Sequence, residues 1–116
     1  MTEQSRRELK AEYKEQRAHA GVYRIVNTRT GRAFLASTPN LRSAENRLEF
    51  ARSTRSPAAI DMRLKQAIAP EDIDALTFEV LETLTSDPTA TTRQVTHDLA
   101  TLEALWREKL GPDALY

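Results

Sequence analysis

Apolar residues recur along this chain with two different periods, and the switches between them mark out its elements. Residues 22–26, VYRIV, alternate with period two, which puts Val22, Arg24 and Val26 on one face of a strand and Tyr23 and Ile25 on the other. Asn27 to Gly31, NTRTG, has turn chemistry, with Gly at the end where a positive φ costs little. Residues 32–37, RAFLAS, read as the returning strand, so the pair is an antiparallel hairpin. Two strands are not stable alone, and a third strand with covering helices is required.

The period then changes to that of a helix. Thr38 or Asn40 caps a helix whose first turn tolerates Pro39, and Leu41, Ala44, Leu48 and Ala51 form the stripe that packs on the sheet. After the break at TRSP, residues 54–57, a second helix is expected over residues 58–68, with Ile60, Leu64 and Ile68 at i, i+4 and i+8, ending at Ala69-Pro70. Residues 77–83, TFEVLET, are the third strand, with Phe78, Val80 and Leu81 as its apolar content. A loop over residues 86–90 leads to a closing helix at residues 91–110, striped by Val95, Leu99, Leu102, Trp106 and Leu110 and ended by Gly111-Pro112. Ahead of the hairpin, residues 5–18 suit an exposed helix that rests on the domain through Leu9 and Tyr13, as a packing accessory, a basic arm or a dimer contact. The predicted fold is α+β: a three-stranded, mainly antiparallel sheet flanked by helices, with a helical extension over residues 1–19 and one domain over residues 20–116.

Composition narrows the chemistry. At 116 residues the chain supports a single modest core and, by default, a single site. It has no Cys and two separated His, His19 and His97, which read as surface residues, so a metal would be held by carboxylate oxygens and would be Mg²⁺ or Mn²⁺. No apolar run reaches the roughly 20 residues of a membrane span, and the expectation is a soluble, cytoplasmic protein. A formal net charge of zero conceals a split: residues 1–55 hold 12 Lys and Arg against 6 Asp and Glu, and residues 56–116 hold 5 against 11. The two halves either attract each other or present a basic face, rich in Arg, to a polyanion.

Gly21-Val22-Tyr23, a short turn, Phe34-Leu35-Ala36, and then Ser37-Thr38-Pro39-Asn40-Leu41 together resemble the GIY-YIG nuclease family. That family joins a Gly-Ile/Val-Tyr strand to a Tyr-Ile/Val-Gly strand, follows them with an Asn/Asp-Leu/Phe pair and an Arg-bearing helix, and draws a metal-binding Glu from its last helix. Glu103, with Trp106 three residues later, matches that Glu. The resemblance spans about residues 20–110 and implies cleavage of nucleic-acid phosphodiester bonds, with DNA as the expected polymer and Mg²⁺ or Mn²⁺ as cofactor. It implies that Tyr23 is the general base or water-orienting phenol, Glu103 the sole protein ligand of the metal, and an Arg of the first core helix the phosphate clamp. It also places Phe34, Ser37, Asn40 and Arg42 along the substrate. A phenol with an ordinary pKa near 10 needs the metal or nearby Arg to lower it for that role.

The chain departs from the family at three positions. Phe34 lacks the hydroxyl of the second motif's Tyr, Ala36 replaces its Gly, and Ala44 stands where the Arg is expected. Arg47 lies one turn later, about 5 Å along the helix axis, and can reach back because helical side chains point toward the N-terminus. Arg42 is the other candidate clamp. Two functions are compatible with these changes: a metal-dependent endonuclease with a modified site, or a nuclease-like module that binds nucleic acid or a protein without cutting. Without the resemblance, Tyr23 would read as a packing residue, Glu103 as a solvated helix carboxylate and Asn40 as a helix cap.

Overall fold

The computed structural model describes residues 19–85 and 89–116; the predicted helix at residues 5–18 and part of the predicted loop at residues 86–90 lie outside them. Strand β1 (Gly21–Asn27) is the central strand, because both of its edges are paired. On one side it meets β2 (Ala33–Thr38), with Tyr23 opposite Ala36 and Ile25 opposite Phe34. On the other it meets β3 (Leu76–Thr83), with a register shift between Val22 and Tyr23. Both pairings are antiparallel, which settles the orientation of the third strand that its own residues left open.

The alternation along β1 feeds two separate cores. Tyr23 and Ile25 join a cluster with Phe34 and the stripe of helix α1 (Leu41–Thr54), whose buried residues are Leu41, Ala44, Leu48 and Ala51 as the helical period requires. Asn40 caps that helix, its side chain accepting the Ser43 N–H at 3.2 Å. Val22 and Leu35 face the opposite side, where Leu102, Trp106 and Leu110 of the closing helix pack against them. A helix therefore covers each face of the sheet. Each fully buried Leu on these faces contributes about 1.5–3 kcal/mol relative to exposure.

The second predicted helix is largely absent. A 3₁₀ turn at Pro57–Ala59 is followed by a single helical turn, α2 (Leu64–Ala67), in place of a continuous helix over residues 58–68. Asp61 is the reason: its carboxylate takes the Arg63 backbone N–H at 2.8 Å, and its carbonyl takes the Leu64 N–H at 2.9 Å, so the local bonds that would continue a helix are diverted. Ile60, Leu64 and Ile68 are nonetheless all buried, so the spacing identified the inward face while misreading the backbone. Pro70 does not simply end an element but opens a 3₁₀ segment, Pro70–Ala75, that buries Ile73.

Helix α3 (Thr92–Leu110) starts with a reciprocal cap, in which Thr91 and Gln94 satisfy each other's backbone N–H groups at 3.2 and 2.9 Å. Beyond Gly111 the chain turns back, and Leu115 bridges Ala33 in the parallel sense along the outer edge of β2. Tyr116 fastens this end to the hairpin turn: its N–H donates to the Ala33 carbonyl at 2.9 Å, and its hydroxyl accepts from the buried Asn27 amide at 3.0 Å. Asn27 also holds the turn itself, its side-chain oxygen accepting the Arg29 N–H at 3.0 Å. No helix among the described residues is long and apolar enough to cross a membrane.

Part of the charge split is taken up as internal attraction. Arg24–Glu79, Arg29–Asp72 and Arg55–Asp74 pair the basic half with the acidic half at 2.8, 3.1 and 2.8 Å. Arg32 is spent on the chain's end, donating to the Leu115 carbonyl and lying over the Tyr116 ring.

Candidate functional site

The motif residues lie on the central strand β1, on β2 and on the two helices that cover the sheet. Opposite partners in a sheet share a face, so Tyr23 and Ala36 point toward α1, while Val22 and Ser37 point toward α3. The candidate residues are therefore divided between the two faces of the sheet. Tyr23 contributes a ring that is 4% exposed and stacks on Phe78, centroid to centroid 5.1 Å. No hydrogen bond joins its hydroxyl to another described residue, and burial dominates its surroundings.

Burial raises the Tyr23 pKa above its usual 10.0; Arg47 opposes the shift, and Asp61 and Glu103 add to it. Burial wins, so the lowering expected of a phenolic base does not come from the protein's own charges. The sign on stability follows. Tyr23 stays neutral in the fold while the unfolded chain ionises near pH 10, so stability is unaffected below that pH and falls as pH climbs from 10 through the folded-state value. In a phenolate absorbance titration, Arg47→Gln is expected to push the Tyr23 midpoint further up and Glu103→Gln to bring it down. An unmoved midpoint in Arg47→Gln would remove Arg47 from the site.

Glu103 projects from α3 toward β2. Its two carboxylate oxygens accept from Ser37 Oγ at 3.1 Å and from Arg107 Nη2 at 3.2 Å, and Arg107 also donates to the Leu35 carbonyl. Its side chain remains 30% exposed. It borders a groove of about 920 Å³ that runs between β2 and α3 past Pro39, Ala100 and Ala104. No cluster of three or more His, Asp or Glu occurs among the described residues. The carboxylate that the site would offer a divalent cation is Glu103, whose two oxygens already accept from Ser37 and Arg107.

No family model, no curated protein and no solved structure matches this chain. The site's own chemistry thus carries the functional reading.

Of the residues singled out by sequence, Arg47 and Glu103 both act electrostatically on the Tyr23 hydroxyl, while the groove that Glu103 borders is lined by neither Tyr23 nor Arg47. Ala44 is buried against the sheet, whereas Arg47 is exposed and forms no ion pair with a described residue. Ser37 positions Glu103. Phe34 is buried with the guanidinium of Arg63 over its ring at 5.6 Å. Asn40 is engaged as a helix cap, and exposed Arg42 is not among the charges acting on Tyr23. Three residues escaped the sequence reading: Asp61, Arg63 and Arg107. Arg107 was accessible, lying one turn after Glu103 on the same helix, but Asp61 and Arg63 were assigned to a helix that does not form.

Proposed function

We propose that this domain is a divalent-metal-dependent endonuclease of GIY-YIG type, acting in the cytoplasm on nucleic acid, with DNA as the expected substrate. The observation that carries the reading is one buried phenol, Tyr23, with a cation, Arg47, and a carboxylate, Glu103, both acting on it. Phosphodiester hydrolysis needs that combination: a group that orients or deprotonates water, positive charge for the developing phosphorane, and an anchor for a metal. Tyr23 orients the attacking water, Arg47 holds the scissile phosphate, and Glu103, steadied by Ser37, binds the cation. When bound, Mg²⁺ polarises the phosphate and favours loss of the leaving oxygen. The element order and the spacing of the Gly21-Val22-Tyr23 hairpin motif support the same assignment.

A second reading, a module that binds nucleic acid or a protein partner without cutting, is favoured by one observation. Glu103 is already engaged by Ser37 and Arg107, and burial holds the Tyr23 pKa up. Incubating the protein with plasmid, single-stranded and branched DNA in Mg²⁺ or Mn²⁺ separates the two. Cleavage that disappears in Tyr23→Phe and in Glu103→Gln is the expected result. Salt-sensitive binding without cleavage would instead select the module, and the absence of both would sink the nucleic-acid reading altogether.

A further inference from the structure

We propose that the corner formed by Asp61, Met62 and Arg63 is a second substrate-contacting element of this site, in which Asp61 aims the Arg63 guanidinium at a phosphate of the bound strand. The inference rests on the nucleic-acid reading given above and deepens it. Arg63 lies over the Phe34 ring, 5.6 Å from its centroid, at the position where the second motif has no hydroxyl to offer. It thereby sets hydrogen-bond donors over the face of a ring that has none of its own.

The geometry is that of a residue held for use. Arg63 donates through Nε to Asp61 Oδ1 and through Nη2 to Asp61 Oδ2, both at 3.0 Å, while its backbone N–H donates to Oδ1 at 2.8 Å. A guanidinium has five N–H donors, so two bonds to Asp61 leave about three, on Nη1 and Nη2, for a partner. The Arg63 side chain is 75% exposed, so those donors face solvent. A planar fork of this kind suits bidentate contact with phosphate oxygens, and fixing it in advance lowers the ordering cost of binding. Arg63 and Arg107 border one depression of about 90 Å³ together with Phe34, Leu35 and Tyr116, and Arg107 in turn donates to Glu103, so the contact is linked to the candidate site through one side chain. The charges agree: the Arg63 hydrogen bonds keep the Asp61 carboxyl below its ordinary range, and Asp61 and Glu103 act on Arg63.

The test is fluorescence anisotropy of labelled duplex and single-stranded 20-nucleotide DNA in EDTA, where no cutting competes, over a range of salt concentrations. Arg63→Gln is expected to weaken binding about tenfold and to reduce the steepness of log K against log[salt] by about 0.9 on duplex or 0.7 on single strand, the loss of one phosphate contact. Arg63→Lys should keep the slope and recover only part of the affinity, since an ammonium lacks the fork. Asp61→Ala is the sharper discriminator. It removes a negative charge, so net charge alone would strengthen binding, whereas loss of aiming weakens it. Arg55→Gln, whose partner Asp74 lies elsewhere, serves as the control and should bind as wild type does. Circular dichroism confirms that each variant is folded. Wild-type affinity and slope in Arg63→Gln, or tighter binding by Asp61→Ala, would overturn this assignment while leaving the nuclease-like reading standing. Failure of the wild-type protein to bind either DNA would overturn both.

Discussion

Glu103→Gln is expected to slow phosphodiester cleavage by about 10²-fold or more, on the order of 3 kcal/mol of barrier, while barely touching the fold. The two effects separate because of what surrounds the side chain. Glutamine keeps a carbonyl oxygen for the Ser37 hydroxyl, so that bond, 3.1 Å in the parent, survives. The Arg107 pair is lost, but with both side chains partly solvated it is worth at most about 1 kcal/mol. The midpoint of thermal unfolding should fall by no more than about 5 °C. Glutamine is a poorer ligand for a hard cation, and here there is no second carboxylate to compensate, since Asp61 is committed to Arg63. Single-turnover cleavage and calorimetry on the same preparation measure both quantities. A variant that cuts at the parental rate would show that Glu103 is only a surface carboxylate.

Gly21→Ala is expected to be the most damaging single methyl addition to the fold, costing about 2–4 kcal/mol of the roughly 5–15 kcal/mol typical of a domain. Gly21 opens the central strand and is paired on both sides, with Thr38 and Thr83. A Cβ there would lie 2.5 Å from the Glu82 carbonyl oxygen and 2.9 Å from Leu41 Cδ1. Leu41 can turn aside. The Glu82 carbonyl is backbone next to the register shift, so relieving that clash means parting β1 from β3. Urea unfolding of the variant against wild type is the measurement, and a loss below about 1 kcal/mol would contradict the close approach. The first glycine of the hairpin motif is thus required for packing and not for an unusual backbone angle.

Much of this was legible in the sequence because it is local. The α1 stripe, the hairpin with its Asn27–Gly31 turn, and the Thr91 start of α3 follow from spacing, turn residues and caps that act within a few positions of one another. What escaped depends on distant partners. Nothing near Leu115 and Tyr116 announces that they will line the β2 edge and lock onto Asn27. Nor does the spacing of Ile60, Leu64 and Ile68 reveal that Asp61 will break the helix between them. The candidate site was half readable for the same reason: Tyr23 and Glu103 come from a linear pattern and Arg47 from its spacing on the helix, whereas Asp61 and Arg63 enter only through the turn that interrupts the predicted second helix. Pairs such as Arg24–Glu79 join residues more than fifty positions apart, so the share of the charge split taken up inside the fold was not legible either.

The strand order has a kinetic consequence. β1 and β2 are neighbours in sequence and need close only a short turn, whereas β1 meets β3 across pairs such as Tyr23–Val80, with α1 and α2 lying in the interval. Loop-closure entropy for that second pairing has to be met before its contacts form. The hairpin is therefore expected to assemble early, leaving the centre of the future sheet as a temporary edge until β3 docks. Trp106, the sole tryptophan, packs on the hairpin's Val22 and Leu35 face and donates its indole N–H to Glu82 near the end of β3 at 2.9 Å, which makes its fluorescence a reporter of α3 docking on the assembled sheet and not of the hairpin turn closing.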